Sequence, residues 1–329
     1  MNAPSTLADP PGVLAAIGRT PLVRLDRLLP RAPIAVYGKL ELLNPGGSGK
    51  DRPALGMLQR ALAEGRLRPG GTVVESSSGN MAIALAQAAK LYGLSLICVV
   101  DTKTTPTNLR LLQAYGAQLE VITGPHPVTG DWLDARIERV QQILARTPGA
   151  FWTDQYTNPA NAEAHQHGTA AEIAADLGRA PDFIFAAAST CGTLGGLTRW
   201  AQATGAHTRI IAVDVHGSRL FGGPPAPRRV PGIGSSRAPD LLDTSRIEVQ
   251  MVSDGDCVAG CRHLLQAEAL LGGGSAGALV AAAARVLPSA PPGADAVLVL
   301  MDRGERYLDT VYDEGWVREA VGEVPELDV

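Results

Sequence analysis

Short apolar runs alternate with amphipathic stretches along almost the whole chain. The apolar runs are rich in β-branched residues and favour buried strands. They predict strands over 34–38, 72–75, 95–100, 118–122, 150–153, 182–188, 209–214, 247–252 and 295–301. Apolar positions at helical spacing between them predict helices over 53–63, 79–92, 107–115, 131–146, 159–177, 254–271 and 276–286.

This alternation of strand and helix predicts an α/β fold with parallel sheets flanked by helices. The chain has 329 residues, which suggests two such domains. A crossing segment follows the first series of strands near residue 150. We predict a small N-terminal domain over 39–150 and a larger domain from 1–38 plus 151–329, with the active site in the cleft between them. Residues 217–242, rich in Gly, Pro and Arg, predict an irregular loop.

The composition excludes several classes of protein. Hydrophobic residues make up 45% of the chain and the net charge is -4, so bulk disorder is excluded and a nucleic-acid partner is not expected. No apolar run approaches the roughly 20 residues that cross a bilayer, and no basic leader precedes an apolar stretch, so we expect a cytoplasmic protein without a membrane partner. Neither the four cysteines nor the six histidines have metal-ligand spacing, so no metal is expected.

Four polar, glycine-rich segments each lie between a predicted strand and a predicted helix. They are NPGGSGKDR at 44–52, ESSSGN at 75–80, ASTCGTLGG at 188–196 and GGGSAGA at 272–278. Ligands of open parallel sheets bind at the carboxyl ends of strands, where these segments stand. The hydroxyls and helix start of the second segment suit a small anion such as a carboxylate, and the third segment suits a phosphate.

Taken singly, each segment also has a purely structural interpretation. The first could be a tight turn with a solvated Lys50, and the second an elaborate N-cap. The third could be an ordinary turn between strand and helix, and the fourth a flexible helix start. His165 and His167 are expected at the surface or one contact removed from a site.

In this order and content, the segments resemble the fold type II pyridoxal-5′-phosphate enzymes, specifically the cysteine synthase family. The likeness extends from IGRTPLVRL at 17–25, through QYTNPAN at 155–161 and VPGIGSS at 230–236, to RGERYLDT at 303–310. It implies pyridoxal 5′-phosphate as cofactor and a homodimer. Two departures stand out: Gly49 where the family commonly has Val, and Met81-Ala82 where it commonly has Thr-Gly.

The resemblance also implies roles for individual residues. Lys50 resembles the catalytic lysine that binds the cofactor covalently, Asn80 the asparagine on its 3′-oxygen, and Ser275 the serine facing its ring nitrogen. The residues that resemble the phosphate cradle are Ser189, Thr190, Cys191, Gly192 and Thr193. The residues that resemble the holders of the substrate's α-carboxylate are Ser77, Ser78 and Gln155. A neutral serine at the ring nitrogen suits elimination of a β substituent.

Within the family, four segments most closely resemble the synthases of siderophore and antibiotic pathways that make precursors of 2,3-diaminopropionate: 98–117, 151–165, 189–196 and 231–243. Those enzymes condense O-phospho-L-serine with L-glutamate to N-(2-amino-2-carboxyethyl)-L-glutamate and release phosphate. Tyr156 stands where cysteine synthases usually have Phe, and Ser189 where they usually have Gly. Both changes make the predicted pocket more polar.

Anionic substrates of this kind need cations in the site. A phosphate leaving group carries about two negative charges near neutral pH, and an arginine fork pairs well with phosphate or carboxylate. We predict that Arg237 binds one of these anions, with Arg136 or Arg139 as weaker candidates. A solvated loop arginine is the alternative interpretation of Arg237.

Two other functions stay open at this point. One is a sulfhydrylase that makes cysteine from O-acetylserine or O-phosphoserine and sulfide. The other is a non-catalytic regulator that binds an amino acid on the same scaffold. Lys50, Asn80 and Ser275 argue against the regulator, because a pure binder does not need the cofactor lysine.

Overall fold

The predicted strands form two sheets in the computed structural model, which describes residues 10–329. The strands of these described residues are β1 Leu22–Arg24, β2 Ala35–Lys39, β3 Thr72–Ser76, β4 Ser95–Asp101, β5 Gln118–Ile122, β6 Phe151–Trp152, β7 Phe183–Ala187, β8 Arg209–Val215, β9 Ile247–Val252 and β10 Asp295–Val299. The α-helices are α1 Asp51–Ala63, α2 Asn80–Leu91, α3 Pro106–Tyr115, α4 Trp132–Arg146, α5 Pro159–Ala164, α6 Ala171–Leu177, α7 Gly192–Thr204, α8 Asp254–Glu268, α9 Gly274–Val286 and α10 Glu314–Trp316. The predicted α/β fold class is confirmed.

One compact unit is built on a parallel four-stranded sheet in the order β5-β4-β3-β6. It comprises Lys50–Asp154 together with the described residues before Gly18. Val74 and Val99 on neighbouring strands pack against Val140 and Ile143 of α4. Val140 and Ile143 lie on the same face of α4 because they are three residues apart, and this apolar face covers the sheet.

The second unit, Gly18–Gly49 with Gln155–Val329, contains a six-stranded sheet in the order β1-β2-β10-β7-β8-β9. Its neighbouring strands are parallel apart from β1 and β2. Successive residues of β10 enter different cores: Val297 packs in one apolar cluster and Leu298 in another. Side chains alternate across a strand, so this sheet is buried on both faces.

Close packing of α8 on α9 explains the small residues of that region. A Cβ atom at Gly277 would lie 1.9 Å from the Cys257 carbonyl oxygen, and one at Gly260 would lie 2.0 Å from the Gly277 oxygen. Cys257 and Cys261 are buried in this contact as free thiols. Burial disfavours the thiolate and raises the pKa of Cys261 to about 12.

The structure differs from the predicted elements in three places, one of which is the short helix α10, which has no predicted counterpart. The antiparallel edge strand β1, inside IGRTPLVRL, has no counterpart among the predicted strands. The predicted helix 159–177 is interrupted by a π-helical segment, His165–Ala170, between α5 and α6. Residues 217–242 contain neither helix nor strand, as predicted.

Residues 39–49 group with the second unit, although the predicted small domain begins at residue 39. Leu42 N donates to Leu300 O at 3.1 Å and Gly49 N donates to Met301 O at 2.8 Å. These backbone hydrogen bonds attach the segment to the two residues that follow β10. The assignment of the larger domain as the cofactor-binding domain stays a prediction.

Among the described helices, none has the length and apolar character needed to cross a membrane.

A fully buried lysine joins β2 to α6 in the second unit. Lys39 Nζ donates to Thr20 O at 2.6 Å and pairs with Glu172 at 3.0 Å and Asp176 at 3.2 Å. Both carboxylates lie on α6, so the cation holds this helix to the sheet. A buried charge is tolerated only with such partners.

We expect Lys39→Met to lower the free energy of unfolding by about 3 kcal/mol, because two carboxylates and a buried carbonyl lose their cation. Urea denaturation followed by circular dichroism measures this change. Lys90→Met, on the exposed side of α2, serves as the control and should change stability by less than about 0.5 kcal/mol. Equal unfolding midpoints for the two variants would contradict a stabilising role of the buried ion pairs.

Candidate active site

Lys50 stands at the start of α1, directly after the glycine-rich turn. It is the N-cap residue, half-buried, and its carbonyl accepts from Ala54 N at 3.1 Å. The turn before it is held by two arginines of the RGER segment: Arg303 Nε donates to Leu42 O at 3.0 Å, and Arg306 donates to Gly46 O at 2.5 Å. The backbone that leads into the predicted catalytic lysine is therefore fixed by contacts from the distant end of the chain.

Gly49 has a steric explanation in this structure. A Cβ atom there would lie 2.6 Å from Met301 Cε and 3.1 Å from Glu41 Cβ. Such distances are far below van der Waals contact, so Met301 occupies the space that a side chain at position 49 would need. Glycine at position 49, where the family commonly has valine, therefore leaves the space that Met301 fills.

The 75–80 segment forms the start of α2, with Asn80 as its first residue. Ser77 Oγ accepts from Gly79 N at 3.4 Å and from Ala82 N at 3.3 Å. The structure therefore supports the N-cap interpretation of Ser77, and a hydroxyl that accepts in this way still has its own proton to donate. The Ser78 carbonyl accepts from Asn108 Nδ2 at 3.0 Å, which ties the turn to α3.

Arg136 and Arg139, the weaker candidates for anion binding, both form ion pairs within the first unit. Arg136 pairs with the buried carboxylate of Asp101, and its Nε donates to Ser76 Oγ at 3.3 Å. Arg139 lies 3.6 Å from Glu120 on β5. Arg136 therefore lies directly beside the serine turn, whereas Arg139 joins α4 to an edge strand.

The 189–193 turn leads from the end of β7 into α7. Cys191 is its N-cap, in the left-handed region with φ +60, and its side chain makes no capping hydrogen bond. Thr190 and Thr193 are buried, 5% and 6% exposed. A Cβ atom at Gly192 would lie 2.1 Å from Asn161 Oδ1, so only glycine fits. First-turn N–H groups beside two hydroxyls are the donors that a phosphate needs, so the turn fits the phosphate of pyridoxal 5′-phosphate.

His165 lies one contact behind this turn. Its Nε2 is 3.3 Å from Thr193 Oγ1, and its Nδ1 is 3.0 Å from Thr169 Oγ1. The ring has no exposed surface, whereas His167 is exposed. Of the two expected positions, His165 thus takes the buried one and His167 the surface.

Ser275 is the second residue of α9 and is 5% exposed. Its Oγ donates to Asp302 Oδ1 at 3.5 Å, and Tyr307 donates to the other carboxylate oxygen at 2.5 Å. Burial and the charge of Asp302 raise the pKa of Tyr307 well above its ordinary value, so the phenol stays protonated. Asp302 and Tyr307 were not predicted as site residues, although both lie in or beside the RGERYLDT segment.

Two predicted substrate residues are in contact in the second unit. The Arg237 guanidinium lies over the Tyr156 ring, 5.3 Å from its centroid, and the Arg237 backbone N–H donates to Ser235 Oγ at 3.3 Å. Gln155 is buried, and its carbonyl accepts from Asn161 Nδ2 at 2.7 Å. The ring holds the exposed arginine by a cation–π contact, which positions the guanidinium without neutralising it.

The predicted site residues are divided between the two units. The first unit contains Lys50, Ser77, Ser78 and Asn80. The second unit contains Gln155, Tyr156, Ser189, Thr190, Cys191, Gly192, Thr193, Arg237 and Ser275. Their individual roles stay predictions. Within residues 10–329, no group of three or more His, Cys, Asp or Glu side chains is placed to hold a metal ion.

Comparison with known proteins identifies the family. The chain is 48% identical over 306 residues to N-(2-amino-2-carboxyethyl)-L-glutamate synthase from Ralstonia nicotianae, covering 93% of this chain and 90% of that protein. It is 47% identical to the protein of the same name from Cupriavidus metallidurans, with the same coverage. The crystal structure of O-ureido-L-serine synthase matches with a TM-score of 0.84 and 35% identity, over 92% of this chain and 95% of that one. The family model described as pyridoxal-phosphate dependent enzyme matches residues 13–302, so the chain belongs to this family of pyridoxal-phosphate dependent enzymes.

Proposed function

We propose that this protein condenses O-phospho-L-serine with L-glutamate to N-(2-amino-2-carboxyethyl)-L-glutamate, with release of phosphate. The observation that carries the proposal is the 48% identity, over 93% of the chain, to a relative with that product in its name. The product is a precursor of 2,3-diaminopropionate, so we place the reaction in siderophore or antibiotic biosynthesis. We further propose a cytoplasmic homodimer; the four free cysteines of the described chain suit a reducing compartment.

Several residues bind the cofactor, and one of them also transfers the substrate's proton. Bound pyridoxal 5′-phosphate supplies the electron withdrawal that lets an amino acid lose a β substituent. Lys50 would hold the cofactor through its amine before the substrate binds, and the same amine, once released by the substrate's own amine, would accept the Cα proton of the substrate. Asn80 would donate to the cofactor's 3′-oxygen, Ser275 would face its ring nitrogen, and the 189–193 turn would hold its phosphate.

The substrate's α-carboxylate binds to the hydroxyls of Ser77 and Ser78 and to the amide of Gln155. Ser77 and Ser78 stand at the start of α2, where backbone N–H groups and the helix dipole favour an anion. Ser77 keeps its hydroxyl proton for such a ligand, since the two contacts described for its oxygen are ones in which it accepts. Gln155 adds an amide from the second unit.

The second anion of the substrates goes to an arginine. Arg237 is exposed, and its contact with Tyr156 leaves the positive charge available to a phosphate or a glutamate carboxylate. Arg136 lies beside Ser76 in the serine turn of its own unit, but Asp101 already offsets its charge. Arg237 is the favoured binder of the second anion because no described carboxylate offsets its charge. Arg136 is the alternative because it lies beside the serine turn.

We expect borohydride reduction of the cofactor-loaded protein to fix the cofactor on Lys50, as mass spectrometry of peptides would show. Lys50→Ala should lose the adduct and at least about 10³-fold in kcat, because it removes both the attachment point and the base. Lys90→Ala, on the exposed side of α2, should keep both. A loaded protein with an unmodified Lys50 would exclude the proposed mechanism.

Product analysis by mass spectrometry separates the proposed function from its alternatives. With O-phospho-L-serine and glutamate, we expect the condensation product and stoichiometric phosphate. Faster formation of cysteine when sulfide replaces glutamate would identify a sulfhydrylase instead. Binding of the amino acids without turnover would favour the regulator.

At saturating glutamate, we expect Arg237→Ala to lower kcat/KM for O-phospho-L-serine about 10- to 100-fold, the effect of losing a charged hydrogen bond, and to leave O-acetylserine nearly unaffected. A raised KM for glutamate with both donors would instead assign Arg237 to the nucleophile's carboxylate. Arg229→Ala, in the same loop, is the matched control and should change neither value. If only Arg136→Ala discriminates between the donors, Arg136 rather than Arg237 is the anion-binding residue.

A further inference from the structure

A chain of buried polar side chains leads away from the 189–193 turn. Thr193 Oγ1 lies 3.3 Å from His165 Nε2, and Thr169 Oγ1 lies 3.0 Å from His165 Nδ1. Thr169 then donates to Glu41 Oε1 at 3.4 Å. His165, Thr169 and Glu41 have no exposed surface, and all four residues belong to the second unit.

The direction of these hydrogen bonds fixes the tautomer of His165. A carboxylate only accepts, so Thr169 gives its one proton to Glu41 and its oxygen accepts from His165 Nδ1. Neutral imidazole has one N–H group, so Nε2 is then an acceptor, and Thr193 donates to it. Without a ligand, the Thr193 proton therefore points to the histidine and away from the turn.

A phosphate dianion at the turn reverses this demand. Phosphate oxygens only accept, so Thr193 must give its proton to the ligand. The Thr193 oxygen and a neutral Nε2 would then face each other without a proton, at 3.3 Å in a buried environment. Protonation of Nε2 removes the conflict, because the imidazolium donates to Thr193, and Glu41 at the far end of the chain offsets the new charge.

Other charged side chains lie on the helices next to the π-helical segment, and several of them have charged partners of their own. Glu172 and Asp176 on α6 are paired with Lys39, and Arg199 on α7 lies near Asp243. Glu163 is the ionisable residue of α5. Glu41 is the group connected to His165 through a described hydrogen bond, which makes it the counter-charge.

We propose that His165 is a positioning residue that takes up one proton when a phosphate dianion binds at the 189–193 turn. The proton enters at Nε2 and turns the Thr193 hydroxyl toward the ligand. The inference rests on the proposed binding of the cofactor phosphate at this turn. It adds that occupancy of the turn is linked to pH through a residue that does not touch the cofactor.

Isothermal titration calorimetry of the full-length, cofactor-free protein with 4′-deoxypyridoxine 5′-phosphate tests the proposal. This analogue bears the phosphate but lacks the aldehyde, so it binds without reacting with Lys50. Titration at about pH 8, in two buffers of different ionisation enthalpy, counts the protons taken up. At that pH a free imidazole is neutral and a phosphate monoester is already dianionic.

We expect the wild type to take up close to one proton more per bound analogue than His165→Gln, whose amide donates to Thr193 without titrating. The wild-type affinity should also fall up to tenfold per pH unit above about pH 8, relative to that variant. His167→Gln, the exposed neighbour, should match the wild type. Equal proton uptake by the wild type and His165→Gln would overturn the proposal.

Two further measurements keep the test decisive. If His165→Gln does not fold, Thr193→Val should lose the extra proton with His165 intact, and Thr193→Ser should restore it; unchanged uptake by Thr193→Val would overturn the proposal. If the analogue does not bind the wild type, the proposed function itself fails. Extra uptake with inorganic phosphate but not with the analogue would overturn the assignment of the turn to the cofactor.

Discussion

The first N–H groups of an α-helix have no partner within the helix, and this constraint organises the candidate site. At five of the ten α-helix starts among the described residues, a side chain at the N-cap accepts from these groups, Asp313 at the start of α10 included. The capping residues of α3, α4, α5 and α8 are Thr105, Asp131, Asn158 and Ser253. No N-cap side chain accepts such a hydrogen bond at α6, which continues directly from the π-helical segment, or at α1, α2, α7 and α9, whose N-cap residues are Lys50, Gly79, Cys191 and Gly273. These four starts coincide with the four glycine-rich segments, where ligands are predicted; at α2, Ala82 N donates to Ser77 Oγ at 3.3 Å.

Much of this arrangement could be predicted from the sequence, because it depends on local signals. Strands such as β5 and β9 follow from short β-branched runs, and the four turns from glycine and hydroxyl residues between strand and helix. The π-helical segment could not be predicted, since one extra residue in a turn leaves the helical pattern of 159–177 nearly unchanged. Asp302 was missed as a part of the site because its partner Ser275 is 27 residues away, and the contact of His165 with Thr193 could not be predicted because these residues are 28 apart.

Glycine is the residue for which sequence and structure give the most different explanations. In the sequence, Gly192 and Gly49 are members of glycine-rich segments between a predicted strand and a predicted helix. In the structure both are places where another side chain needs the space of a Cβ atom: Asn161 at Gly192, and Met301 at Gly49. A glycine can therefore mark a site indirectly, by letting a second layer of side chains approach the backbone that is predicted to hold the ligand.

Glu41 connects these observations, because it lies where two hydrogen-bonded chains meet. One carboxylate oxygen accepts from Thr20 at 3.0 Å and from Thr169, which leads to His165 and the 189–193 turn. The other accepts from Asn44 at 3.0 Å, at the beginning of the turn that ends at Lys50. Asn44 in turn accepts from Gly18 N at 2.8 Å. One buried charge thus orients the backbone before the predicted catalytic lysine and the hydroxyl of the predicted phosphate turn. A buried carboxylate is stable only with its hydrogen-bond partners in place. A shift of the turn that begins at Asn44 would therefore weaken the hydrogen bonds that lead to the 189–193 turn, and the reverse holds as well.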